Sequence, residues 1–242
     1  MVFRLFPLNN KQTQDVHFAD IEVDMHAHWL PGVDDGSPDI DVSLIMIRGL
    51  VSLGFRKLIA TPHIMHDHYG NHATKLRNVF QALVKRVTEE GIEVELGLAA
   101  EYMLDEGFMD HLNSRQVLSI ADRYLLIEFP MHKPFPLAKR FVESILQVGY
   151  TPILAHPERY SYYRRDLATF QELQQMGCLM QLNLLSPAGY YGREVSNWSR
   201  QLIEHQMYHF AGTDLHHPAQ LGLYSFDPSS LRFLNAQLLQ PN

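Results

Sequence analysis

Short apolar runs alternate along this chain with longer stretches in which apolar positions recur every three or four residues. The runs fall at 21–27 ("IEVDMHA"), 57–62 ("KLIATP"), 94–101 ("VELGLAAE"), 124–129 ("YLLIEF"), 151–157 ("TPILAHP"), 178–185 ("CLMQLNLL") and 208–214 ("YHFAGTD"). Their length and near-continuous apolar character predict buried strands, and the stretches between them predict helices near 38–53, 73–90, 105–112, 136–148, 166–176 and 194–206. Gly54, Gly91, Gly149 and Gly177 follow four of these helices, where a helix stop is expected. Seven strands alternating with helices predict an α/β fold with a parallel sheet.

The same pattern separates two ways of closing that fold. Ionisable residues stand where nearly every apolar run stops: His26 and His28 on the first, then His63, Glu101, Glu128 and His156, and finally Asp214 with His216 just beyond. An open doubly wound sheet would spread these groups along a line. A closed (β/α) barrel gathers them on one face, where such folds keep their active sites, so the barrel is favoured.

Composition then narrows the setting. At 242 residues, with 46% hydrophobic content, the chain suits one larger domain with a sizeable core. Residues 21–242 are read as that domain and residues 1–20 as an N-terminal extension without a functional reading. No apolar run approaches the ~20 residues of a membrane span, and the N-terminus lacks the features of a secretory signal, so a cytoplasmic protein is expected. A net charge of −7 opposes non-specific binding to nucleic acid. The single cysteine, Cys178, excludes an internal disulfide and a thiolate metal cluster, and its "MGCLMQL" setting reads as a buried apolar thiol.

The 14 histidines raise the question of clustering. In "DMHAHW" the side chains of His26 and His28 share one strand face, since strand side chains alternate with period 2. Alone, such a pair is weak evidence. Repetition gives it weight, because burying that many ionisable groups unpaired would cost several kcal/mol each, and a metal cluster is a common way to avoid that cost. Five histidines with Asp35, Glu101, Glu128 and Asp214 are too many ligands for one ion and become natural for three if a carboxylate bridges. Imidazole and carboxylate without thiolate suit Mn, Fe or Zn and do not choose among them.

The ordered motifs "DMHAHWLPGVDDG", "TPH", "AAEY", "LIEF", "AHPERY" and "GTDLH" resemble the polymerase-and-histidinol-phosphatase (PHP) superfamily. Within it they look most like the bacterial tyrosine-protein phosphatase branch of capsule and exopolysaccharide operons. "PGVDDG" fits that branch, because many other members carry a histidine-bearing segment there. The resemblance implies a distorted, TIM-like (β/α)7 barrel with three divalent ions, Mn first and Fe or Zn as alternatives. It implies His26, His28, Glu101 and Asp214 around the first metal, with Glu101 bridging to a second that Glu128 and His156 complete. Asp35, His63 and His216 would hold the third, with Asp34 as the alternative to Asp35. It also implies a phosphotyrosyl protein as substrate, a cognate bacterial tyrosine kinase being the natural source, and leaves the oligomeric state open.

The chemistry is consistent with that resemblance. With no nucleophilic Cys or Ser among the motifs, water is the expected nucleophile, as a hydroxide bridging two metals. Arg159 in "HPER" is placed to clamp a phosphoryl group through its planar fork. His63 or the third metal is the candidate to assist departure of the leaving group. Residues alone support a phosphoester hydrolase; a small-molecule phosphatase of histidinol-phosphate type and a non-catalytic metal-binding scaffold stand as alternatives. Other readings are plainer. His66, His68 and His72 either line the substrate mouth or belong to a solvated loop, and Asp24 either orients a ligand or caps its strand. The tyrosines of "RYSYY" and "GYYG" are open to stacking on an aromatic substrate. His17, His111, His132, His205, His209 and His217 read as structural or exposed.

Overall fold

The computed structural model describes residues 18–225 together with Leu231, Leu234, Asn235 and Leu238; most of the N-terminal extension, His17 included, lies outside the described residues. The strands are β1 (Val23–Ala27), β2 (Lys57–Ala60), β3 (His63–Ile64), β4 (Glu95–Leu98), β5 (Glu101–Met103), β6 (Tyr124–Glu128), β7 (Thr151–Ala155), β8 (Leu179–Asn183) and β9 (Phe210–Gly212). The helices are α1 (Ile40–Ser52), α2 (Ala73–Glu89), α3 (Phe108–Ser114), α4 (Ala138–Gln147), α5 (Leu167–Gln175) and α6 (Arg193–Glu204). Side-chain caps start α1, α2 and α5, from Asp39, His72 and Asp166. In α1 the Asp39 side chain accepts from the N–H of Val42, and the buried stripe Leu44, Ile47 and Leu50 follows helical spacing.

Every pairing between these strands is parallel, as the alternation of strands and helices predicts. They form two hydrogen-bonded sheets, β1-β2-β4 and β3-β5-β6-β7-β8-β9, rather than one continuous ring of seven. The division falls at the end of the strand predicted at 57–62, with β3 just beyond it, and inside the strand predicted at 94–101. Thr61 and Pro62 separate β2 from β3, and Pro62 has no N–H to give to the ladder; Ala99 and Ala100 separate β4 from β5. Single bonds cross the breaks, from Ala99 N–H to Ala60 O at 2.8 Å and from Glu101 N–H to Pro62 O at 3.1 Å. At the other end the chain returns to β1. Asp214 N–H donates to His26 O at 2.7 Å, and His28 N–H donates to Leu215 O at 2.9 Å. Asn235 clasps the start of β1 to the middle of β9, donating to Val23 O and Ala211 O and accepting from Ala211 N–H. That part of the C-terminal tail therefore packs on the strands.

Strand alternation sorts the apolar side chains into two cores. In β6, Leu125 and Ile127 join the large core against the helices, while Tyr124 and Leu126 join a smaller one with Val23, Met25, Ile153 and Phe210. Glu128 lies two residues beyond Leu126, so it ends the strand on the side of the smaller core. Tyr160 ties the ends of two neighbouring strands: its hydroxyl accepts from Phe129 N–H at 3.0 Å and donates to Ala155 O at 3.1 Å. Being fully buried, it stacks on no substrate. Tyr160→Phe leaves a buried N–H unpaired and is expected to cost about 1–3 kcal/mol in urea unfolding at unchanged m-value.

Candidate metal centre

The end of β1 delivers two histidines into one buried space. His26 Nε2 lies 3.2 Å from His28 Nε2, 3.1 Å from Glu101 Oε2 and 3.3 Å from Asp214 Oδ1. His28 Nε2 lies 3.4 Å from each of the same two carboxylate oxygens. The outer nitrogens are held elsewhere: His26 Nδ1 donates to Gln181 Oε1 at 3.0 Å, and His28 Nδ1 donates to Asp34 Oδ2 at 2.9 Å. Such outer partners fix ring orientation and leave the inner nitrogens free to ligate. Asp34 also accepts from the N–H groups of His63 and Gly36, so one carboxylate shapes the whole "PGVDDG" turn. The turn needs Gly36, because a Cβ there would stand 2.0 Å from the carbonyl oxygen of His28.

Three sets of side chains offer ligand atoms within 4.8 Å of one another: His26, His28, Glu101 and Asp214; His28, Asp35, His63 and His216; and His63, Glu101 and Glu128. His28, His63 and Glu101 each belong to two sets. His156 belongs to none of them, yet its Nε2 lies 3.1 Å from Glu101 Oε1. Glu128 is met by His63 at 3.2 Å. Asp35 is half exposed and lies 3.6–3.7 Å from His63 and His216, whereas Asp34 is turned inward on His28. His156 and Asp214 both adopt left-handed backbone, with φ of 36° and 52°. Non-glycine residues held there cost about 1–3 kcal/mol each and cluster at functional sites.

The donor set fits divalent cations. Two imidazole nitrogens face each other at 3.2 Å, and His63 Nδ1, Glu128 Oε1 and His156 Nδ1 are buried without a hydrogen-bond partner among the described residues. His63 Nδ1 and Glu128 Oε1 approach to 3.2 Å without hydrogen-bond geometry, which is how two lone-pair donors sharing a cation stand. The same imidazoles and carboxylates shift one another's protonation. Burial disfavours the charged form of His28, but Asp34 beside it raises its pKa well above the ordinary value. Burial and His28 oppose charge on His63, yet Glu101 and Glu128 push it up to about 9. Burial would raise Glu101 and Asp214, but the surrounding histidines hold both well below the usual carboxylate range. Burial and the charge on His28 press His216 down to about 4.

Arg159 ends the short 3-10 turn Pro157–Arg159 after β7. Its guanidinium donates to Asp214 Oδ2 at 2.7 Å and lies over the Tyr191 ring at 4.4 Å, with about a quarter of the side chain open to solvent. Burial works against its charge, and Asp214 more than restores it. Asn183 closes a loop of contacts, donating to Asp214 Oδ2 at 2.8 Å and to the Tyr191 hydroxyl at 3.0 Å. Tyr191, one of the "GYYG" tyrosines, thus packs under Arg159, while Gln181 and Asn183 go beyond the residues singled out from the sequence. Their signal was the polar pair Gln181 and Asn183 at alternate positions of an otherwise apolar strand. Asp24 is fully buried and accepts from the Thr213 N–H and hydroxyl, tying β1 to the segment beside Asp214; burial raises its pKa to about 6. Of the remaining histidines, His72 caps α2, His217 caps the turn at Pro218–Gly222, and His66 and His68 are exposed.

The protein is thus a parallel α/β protein whose strand ends gather imidazoles and carboxylates around a shared space. Residues 22–221 match the family model described as capsular polysaccharide synthesis, CpsB/CapC, and the chain belongs to that family. It is 33% identical over 195 residues to the tyrosine-protein phosphatase YwqE of Bacillus subtilis, covering 80% of this chain and 77% of the relative. It is 27% identical over 203 residues to the tyrosine-protein phosphatase CpsB of Streptococcus pneumoniae, covering 80% and 82%. Among solved structures, one from work on YwqE and CpsB, described there as unique metal-dependent tyrosine phosphatases, superposes with a TM-score of 0.75 at 30% identity, covering 89% of this chain and 83% of that one.

Proposed function

We propose that this chain is a metal-dependent phosphatase that hydrolyses phosphotyrosine in proteins, with a bacterial tyrosine kinase of capsule or exopolysaccharide synthesis as the source of that substrate. The observation that carries the reading is the set of interlocking histidine–carboxylate groups beside a partly open arginine; the relatives supply the word tyrosine. Three divalent ions, Mn first and Fe or Zn next, match the three ligand groups. Divalent ions there would lower the pKa of a water from ~16 towards ~7 and supply the nucleophile at neutral pH.

The chain's own residues divide the remaining work. Glu101 and Asp214 concentrate negative charge at the centre, and His26 and His28 are aimed there by Gln181 and Asp34. Arg159 takes the phosphoryl oxygens. His63, partly exposed at the opening and stacked on Tyr69, is placed to assist the leaving phenolate, whose pKa of ~10 asks little of an acid. Cys178 has no part in this. Fully buried, its thiol is pushed up to about 12 and cannot serve as a thiolate nucleophile.

The fold is read as a distorted seven-stranded TIM-like barrel over residues 21–242, following an extension at 1–20. The bonds from Asp214 and Leu215 to β1, and the Asn235 clasp, support it. Among the described residues no helix is long and apolar enough to cross a membrane. A kinase that draws on ATP phosphorylates its tyrosines in the cytoplasm, and that compartment is proposed for this chain too.

The test is phosphate release by metal-stripped protein from a phosphotyrosyl peptide and from histidinol phosphate, with Mn, Fe, Zn, Mg or nothing added back. Activity on the peptide restored by a transition metal supports the proposal. Turnover confined to histidinol phosphate would overturn the protein substrate, and no turnover despite bound metal would leave a scaffold. Asp34→Asn is expected to weaken metal affinity by about 10–100-fold, because the amide holds the His28 ring less firmly than the carboxylate. Competition with a chromophoric chelator checks this.

A further inference from the structure

A groove of about 560 Å³ opens beside the candidate metal centre, on the side of β5 and β6. Leu104, Pro130, Pro134, Phe135, Leu137 and Phe141 make its wall. It begins where the cluster ends: Pro130 follows Glu128 by two residues, and Leu104 N–H donates to Glu128 O at 3.0 Å. The wall is preformed. Tyr162 and Tyr163 donate hydroxyl hydrogens to Pro130 O at 2.6 Å and Phe135 O at 3.3 Å. Phe135 packs on Phe129 and Phe141, each at 5.4 Å between ring centroids. Its size falls in the ~300–1,000 Å³ range of ligand pockets, enough for one or two side chains.

The rim is charged unequally. Asp67, Asp105 and Glu106 stand there with Lys133 and His66. The Asp105 carboxylate is committed, accepting from the N–H groups of His66 and Gly107. Asp67 and Glu106 are exposed and have no partner among the described residues, so two free carboxylates face a single lysine.

We propose that this groove is a substrate subsite that receives a large apolar side chain flanking the phosphotyrosine, with a neighbouring Lys or Arg of the same peptide read by Asp67 and Glu106. The inference rests on the phosphatase reading above and adds sequence preference to it. A phosphotyrosine whose phosphate reaches the cluster leaves its main chain at the rim, and an extended peptide advances ~3.3–3.6 Å per residue. Residues within a few positions of the tyrosine therefore pass over an apolar, acid-edged surface. A rigid groove also lowers the ordering cost of binding.

The experiment uses the full chain loaded with metal. Phosphotyrosyl peptides carrying Leu-Lys, Gly-Lys, Leu-Asp or Gly-Asp at each flanking position are compared for KM and kcat, with para-nitrophenyl phosphate as a substrate too small to reach the groove. Binding is measured separately by fluorescence anisotropy of labelled peptides bearing a non-hydrolysable phosphonate in place of phosphotyrosine. Wild type is expected to show a KM about 10-fold lower for a Leu-Lys peptide than for Gly-Asp. Leu137→Asp should erase the preference for Leu, and Asp67→Lys with Glu106→Lys should reverse the preference for Lys, both leaving para-nitrophenyl phosphate turnover unchanged. Equal KM values across the peptides, or variants that leave the preference intact, would overturn the inference while the phosphatase reading stands. Hydrolysis of no phosphopeptide would remove that reading, and this inference with it. A change in sedimentation for Leu137→Asp without a change in peptide affinity would assign the face to contact between copies of the chain and overturn the subsite.

Discussion

Glu101→Gln is expected to lower phosphotyrosyl-peptide turnover by about 10³-fold or more and to strip metal from the protein. The reason lies in how many groups lean on one carboxylate. Oε2 lies 3.1 Å from His26, 3.4 Å from His28 and 3.2 Å from His63, while Oε1 lies 3.1 Å from His156. Glutamine keeps the shape and loses the charge. It also brings an NH2 group, a donor, into a space where a divalent cation would need an acceptor. The metal-free protein should suffer as well, because removing one partner of a buried ion pair costs about 3–5 kcal/mol. The two losses are separable. Metal content by elemental analysis and turnover report the first; urea unfolding in chelator reports the second. Wild-type metal content and turnover in the variant would show that Glu101 is not the keystone of the centre.

Apart from Asp35, the side chains discussed as ligands lie at or just beyond strand ends, and strand ends were legible because apolar runs stop there abruptly. The parallel α/β class followed from the same alternation. Two features were hidden. The breaks at Thr61-Pro62 and Ala99-Ala100 divide the strands into two sheets, and only Pro62 advertises itself, through its missing N–H. The partners that aim the histidines were the harder loss. Gln181 reaches His26 from 155 residues away, and Thr213 reaches Asp24 from 189 away, contacts no local spacing encodes. Asp34 and Asp35 show the limit at closest range. They are adjacent, chemically identical and given different partners by one tight turn: Asp34 faces His28, and Asp35 faces His63 and His216. Which one turns inward depends on the Gly36 backbone lying against His28, a fact of packing rather than of pattern.

Arg159→Ala is expected to lower kcat by about 10²–10³-fold while metal stays bound, the usual cost of removing one preorganised donor from a developing negative charge. Arg159 is attached to Asp214 at 2.7 Å, yet its guanidinium carries donors only and is no metal ligand. A cation held by Asp214 would weaken that carboxylate's hold on the guanidinium, leaving the other Arg159 donors for the phosphoryl oxygens. Removing it takes a positive charge from Asp214, so metal affinity should hold steady or rise slightly. Arg159→Lys should recover little, for two physical reasons. An ammonium cannot present two parallel donors, and it lacks the planar face that lies over Tyr191 at 4.4 Å. The pattern to look for is therefore a low kcat in both variants, full metal content, and melting temperatures of the metal-loaded proteins near wild type. Loss of metal in step with loss of activity would instead make Arg159 a prop for Asp214, and the phosphate clamp would have to be sought elsewhere on the same face.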